Sequence, residues 1–269
     1  MRSADLIREA RLRAGLTQYE LAERSGRDRS VIARWEQGAV APSLETLLEL
    51  VRACGFDLPL ELTAADPSRD ARLEKNALLS PERRVQRLLQ ARARLAREQG
   101  REPAPFDPYA ILAALERQMV TYVLIGAFAR IVQGAEELTD GLDLTPSVKG
   151  GNLDRLALAL HDLHATRVGR GELALKEAAQ EPVIALTSPA GELKVVRDPA
   201  GARHGYDDLR KAAARQPIGK GVRPRVASTG DLARMLATLA REQDKPKLQN
   251  LRRLTDLERT LAPDLGLGL

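Results

Sequence analysis

The chain of 269 residues has a single cysteine, Cys54, which excludes an internal disulfide and a cysteine-built metal cage and leaves core filling as its expected role. No apolar stretch approaches the ~20 residues that cross a bilayer, and Met1-Arg2-Ser3-Ala4-Asp5 lacks the apolar core of a signal peptide. There is no internal repeat and no low-complexity tract. Gly219-Lys220-Gly221 lacks the spacing of a phosphate loop. His161 and His164 have no third ligand nearby, so a solvated or helix-end pair is expected rather than a metal site. These absences predict a cytoplasmic protein with no membrane partner, no metal and no cofactor.

What is present is ordinary for a globular chain: 43% hydrophobic and 29% charged residues. The formal net charge of +5 is compatible with a polyanionic partner without demanding one. The length suggests about two domains. The predicted fold class is multi-domain, α followed by α/β: an all-helical unit over 1–62, a basic helical linker over 63–108, and an α/β unit with C-terminal helices over 109–269.

In the first unit, Leu6, Ile7, Ala10 and Leu12 outline an amphipathic helix ending near Gly15. Thr17-Gln18-Tyr19-Glu20 is a capping box, and Leu21 and Ala22 then face inward. Ser25-Gly26 supplies a sharp turn, and Asp28 is expected to cap a third helix running from about Arg29 to Glu36 and stopped by Gly38. Pro42-Ser43 opens a fourth through Leu44, Leu47, Leu48, Leu50 and Val51. A helix, a short glycine turn and a second helix form the geometry that lays the second helix in a major groove. Val31, Ile32 and Trp35 are expected in the core.

Thr17-Gln18, Leu21-Ala22, Gly26, Val31-Ile32, Trp35-Glu36, Gly38 and Pro42-Ser43 together resemble the phage-repressor-type (XRE-like) helix-turn-helix family over about 55 residues. The resemblance implies double-stranded DNA as partner and base contacts from the start and outer face of the third helix, where Arg29, Ser30 and Arg34 stand. It implies a phosphate contact for Gln18, with Arg27 a second candidate. Arg29 and Arg34 have the forked donors that pair with guanine O6 and N7; the plain alternative is a solvated surface arginine.

In the linker, Thr63 to Ser68 reads as a turn or loop, and Ser80-Pro81-Glu82 reads as a helix start. Val85, Leu88, Leu89, Leu95 and Ala96 trace one stripe. Arg83, Arg84, Arg87, Arg92, Arg94 and Arg97 occupy the other faces, until Gly100 and Pro103 end the helix. A solvated helix with one packed edge and an extra phosphate or dimer contact are both open readings.

In the last unit, residues 120–125 read as a buried strand, Gly126-Ala127-Phe128-Ala129 turns into a helix ending near Gly134, and Leu142-Asp143-Leu144 is the next strand. Asn152 is expected to cap a helix carrying Leu153, Leu156, Leu160 and Leu163. Residues 183–187 and 193–196 form a hairpin across Pro189-Ala190-Gly191. Two helices close the chain, with Lys245-Pro246-Lys247 as the linker between them.

This order, with Gly134, Thr139, Asp198-Pro199-Ala200-Gly201, Tyr206, Asp208-Leu209, Ser228 and Asp231-Leu232, resembles the nucleotidyltransferase-like fold of bacterial antitoxin and abortive-infection systems. Active members of that fold hold two divalent cations with three carboxylates, two of them one residue apart on one strand. Against that pattern the site is degenerate. Asp143 matches the second paired acid, but Gly141 stands where the first belongs, and Asp140 would need a bulge to turn inward. Lys194 stands where the third acid belongs, and Ala127 follows Gly126 where serine or glycine is usual. The expectation is a non-enzymatic transcriptional regulator that reads a roughly palindromic operator as a homodimer. Its rear unit would serve dimerisation, sensing of a nucleotide-like ligand, or binding of a toxin partner. The rivals are a DNA-tethered nucleotidyltransferase and an antitoxin that autoregulates its operon.

Overall fold

The structure, a computed structural model, describes residues 3–58, 60, 66–168 and 181–261. It opens with four helices: α1 (Ser3–Arg13), α2 (Gln18–Ser25), α3 (Arg29–Glu36) and α4 (Leu44–Ala53). The capping box at α2 is closed on both sides: Thr17 Oγ1 accepts from Glu20 N at 3.2 Å, and Glu20 Oε2 accepts from Thr17 N at 2.6 Å. Those bonds hold the Glu20 carboxyl below the usual carboxylate range. Gly26 ends α2 in the left-handed region with φ 63°, a conformation that favours a residue without Cβ. Ser43 caps α4 by accepting from Thr46 N. Asp28 occupies the cap position of α3 but makes no side-chain cap bond, so the expected capping role falls away.

Ile7, Leu21, Ile32 and Leu50 form the innermost part of this core. On a wheel of 3.6 residues per turn Ile32 and Trp35 point inward together while Val31 sits on the flank. Accordingly Ile32 is fully buried, Trp35 packs at the margin, and Val31, expected inside, is half-buried and outside the cluster. Cys54 is buried here, and burial pushes its thiol up to about 11.

The residues expected to link the two units are helical for longer than the sequence suggested. α5 (Pro67–Ala77) begins inside the segment read as a loop, capped by Asp66 Oδ1 accepting from Arg69 N, with proline at the first position. α6 (Pro81–Glu98) follows, capped by Ser80. Leu73, Val85 and Leu88 enter the same core as the following sheet. Arg84 and Arg92, expected on solvent faces, are anchors instead. Arg84 donates to the carbonyls of Asn76, Ala77 and Val132, ends of α5 and α8. Arg92 is buried, donating to Asp140 Oδ1 from Nε at 2.8 Å and to Ala104 O from Nη2 at 2.8 Å.

The remainder comprises α7 (Pro108–Arg117), β1 (Tyr122–Ile125), α8 (Gly126–Val132), β2 (Gly141–Pro146), α9 (Asn152–Asp162), β3 (Thr166–Arg167), β4 (Val183–Ser188) and β5 (Gly191–Val196). After these come α10 (Tyr206–Leu209), β6 (Ala214–Arg215), β7 (Arg225–Val226), α11 (Thr229–Leu239), a 3-10 turn (Glu242–Asp244) and α12 (Lys245–Leu261). The strands make one seven-stranded mixed sheet in the order β3-β4-β5-β2-β1-β7-β6, parallel at β2/β5 and β1/β7. Leu124, Phe128, Leu142, Leu144 and Leu186 lie at its core. Two sequence expectations are corrected. Gly151, with φ 66°, holds the cap position of α9; Asn152 is inside the helix and ties Thr121 N and O and Ser147 O to it. Lys245-Pro246-Lys247 is no linker but the first turn of α12, where a proline gives up no hydrogen bond.

The four-helix front rests on the rear through α1, which packs against α11. Arg252 of α12 bonds Glu9 at 3.1 Å, and Arg203 donates to Gly15 O at 3.2 Å. No helix among the described residues is long and apolar enough to cross a membrane.

Candidate nucleic-acid interface and rear strand site

Helix α3 divides cleanly. Its 100° steps put Arg29, Ser30, Ala33, Arg34 and Gln37 on one side and Ile32 with Trp35 on the other. Arg29, Ser30, Arg34 and Gln37 are exposed; Ile32 is sealed. The three candidate base-reading residues thus share one open face. Gln37, near the middle of that face, was missed by the sequence reading because it follows Glu36, where the helix pattern stops; the same 3.6 periodicity carried one turn further would have found it.

Gln18 does not stand free. Its Nε2 donates to Glu36 Oε2 at 2.8 Å, and Arg11 grips the same carboxylate from Nε at 2.6 Å and Nη2 at 2.9 Å. Arg11 also donates to Leu16 O at 2.9 Å. The network locks the start of α2 to the end of α3. It is nearly buried, with 11% of the Arg11 side chain and 5% of that of Glu36 accessible. Glu36 and Arg11 were missed as positioning residues because they lie 25 positions apart. Arg27, in the turn before α3, pairs with Glu49 Oε2 at 3.0 Å. Both partners are largely exposed, so the pair is worth about 0.2–1 kcal/mol and yields readily to a phosphate.

The rear strand site gathers fewer groups. Asp143 on β2 lies opposite Lys194 of β5 and Ile125 of β1. Its carboxylate presses on Gly126: a Cβ there would fall 2.0 Å from Asp143 Oδ2, and Gly126 has φ 71°, so only glycine serves. Burial pushes the Asp143 carboxyl above its ordinary value, against the opposing pull of Lys194 and Arg130. Gly141 lies opposite Glu192, and a Cβ on Gly141 would meet Glu192 O at 2.7 Å. Asp140 is bound to Arg92. Ala127 is the second residue of α8 and half-buried. Among the described residues no group of three or more His, Cys, Asp or Glu is placed to hold a metal ion.

Comparison with known proteins covers the front helices. A helix-turn-helix family model matches residues 7–60. An uncharacterized HTH-type transcriptional regulator of Methanothermobacter thermautotrophicus is 50% identical over 50 residues, 19% of this chain and 72% of that protein. The chain belongs to the helix-turn-helix family. Its front segment is of the XRE type, which places the protein among DNA-binding transcription regulators.

Proposed function

We propose that the protein is a sequence-specific regulator whose base contacts come from Arg29, Ser30 and Arg34, with Gln18 and Arg27 on phosphates, and whose rear unit transfers no nucleotide. The observation that carries the first half is the single exposed face of α3 that holds all three residues opposite buried Ile32. Arginine forks on such a face suit guanine edges, and phosphate contacts fix the register. A lone recognition helix reads few base pairs, so a homodimer on a two-fold site is the arrangement this head favours. The test is selection from random duplexes. A roughly palindromic consensus with half-sites about one turn apart supports the reading; no enriched sequence overturns it. Light scattering on the full chain, free and on that duplex, tests the dimer, and a species monomeric in both states removes it.

For the rear unit we read a degenerate nucleotidyltransferase-like domain, cytoplasmic and free of cofactor, that binds a partner or ligand. The residues do not suit a two-cation centre. Of the three expected carboxylate positions only that of Asp143 holds an acid, with Glu192 a like charge near it. The cation Lys194 is its neighbour across the ladder, and the Glu192 backbone fills the space a side chain at 141 would need. Two unit charges of like sign at ~4 Å repel by about 4 kcal/mol at an effective dielectric of ~20, and a divalent ion facing an ammonium fares worse. A transfer assay with each nucleoside triphosphate and magnesium or manganese tests this. Metal-dependent labelling that disappears in Asp143→Ala would overturn it.

A further inference from the structure

At the start of β1, away from Gly126, the rear sheet carries a cleft of about 420 Å³. Arg215 of β6, Arg225 of β7 and Arg223 just before it line the cleft with Tyr122 of β1, Tyr206 of α10 and Glu116 of α7. Arg215 and Arg225 are paired across the two-stranded ladder, where like charges facing each other are unfavourable. Neither is neutralised by a carboxylate among the described residues: Arg215 donates to Arg223 O at 3.3 Å and Arg225 to Arg210 O at 3.4 Å. The nearby acid, Glu116, accepts from the backbone N of Arg223 at 3.3 Å.

The second observation is independent of the charge. Tyr122 is 7% exposed, and its hydroxyl is buried with no hydrogen-bond partner among the described residues. Burial, reinforced by Glu116, holds the phenol far above its ordinary value, so the group stays a donor. Buried hydroxyls are almost always satisfied, and this one, unpartnered in a residue that lines a cationic cleft, wants an acceptor.

We propose that this cleft is a binding site for a small phosphoryl-bearing anion, held by the guanidinium groups of Arg215, Arg223 and Arg225 and by a hydrogen bond from the Tyr122 hydroxyl. Guanidinium forks suit phosphoryl oxygens, and three of them around one concave site favour a multiply charged anion over a single carboxylate. The recess favours a compact ligand over a duplex backbone. Bound anion would join the β6/β7 ladder to β1 and α10.

The experiment titrates inorganic pyrophosphate into the full chain by calorimetry, with a random-sequence duplex in a parallel arm. Wild-type protein is expected to bind pyrophosphate. The Arg215→Gln, Arg223→Gln double variant should bind about tenfold more weakly or worse. Tyr122→Phe should lose several-fold in affinity while melting no lower than wild type in the absence of the anion, since it deletes a buried unpaired hydroxyl. That combination separates a ligand contact from a structural role. No binding by wild type up to about 10 mM, or variants that bind pyrophosphate as well as wild type, would overturn the proposal. So would a double variant that loses duplex affinity yet keeps pyrophosphate, which would give these arginines to the DNA backbone.

Discussion

Helix α3 and strand β2 carry their candidate chemistry differently. On α3 the helical period separates the polar residues from the core, so Arg29, Ser30 and Arg34 lie exposed opposite Ile32. On β2 the chemistry depends on neighbours: Asp143 has meaning only beside Lys194 and Gly126, and Gly141 only beside Glu192. A surface of the first kind tolerates substitution and can change its target without refolding. A site of the second kind is rebuilt whenever one strand partner changes.

The contrast is broken most forcefully at Glu36, where the front surface depends on a nearly buried ion pair. Glu36→Ala leaves Arg11 unpaired in a nearly closed site and should destabilise the front by about 3 kcal/mol, read by chemical denaturation. It should also weaken DNA binding by releasing Gln18. A variant as stable as wild type would show that the network is ornamental.

Arg27 sharpens the comparison from the other side. Arg27→Ala should leave stability within about 0.5 kcal/mol, weaken all duplexes alike, and flatten the salt dependence by about one phosphate contact. Loss confined to one sequence would make Arg27 a base reader instead.

In the rear, the folded Asp143 carboxyl holds its proton to higher pH than the unfolded one. The folded state therefore binds more protons across that window, and stability falls as pH rises from the ordinary carboxylate value through the raised one. Asp143→Asn removes that loss. It should melt higher than wild type at about pH 7 and level with it at about pH 3, where the carboxyl is protonated in both states. A variant less stable at neutral pH would mean that the attraction of Lys194 outweighs burial.

Local signals were legible in the sequence and distant ones were not. The Thr17 box, the Gly26 turn and the period of α3 each lie within a few residues, and residues alone located them. The same holds for the β4/β5 hairpin. On the strand side the sequence located β2 and β5, while the pairing of Asp143 with Lys194 and of Gly141 with Glu192 appears only in the sheet. Arg84 and Arg92 were misread because arginines off an apolar stripe look solvated. Their acceptors, Val132 O and Asp140, are 48 residues away. Asn152 looks like a helix cap until Thr121, 31 residues earlier, is seen to use it. The arginine cleft escaped because Arg215, Arg223 and Tyr122 converge only through the sheet order β1-β7-β6.

The decisive measurement is quantitative binding of Arg29→Ala and Arg34→Ala to the duplex selected by wild-type protein and to its single-base variants. If α3 reads bases, each substitution costs about 1–3 kcal/mol on the selected site and erases discrimination at one position of each half-site. Unchanged affinity and an unchanged preferred sequence in both variants would contradict it, and would move recognition off the exposed face of α3.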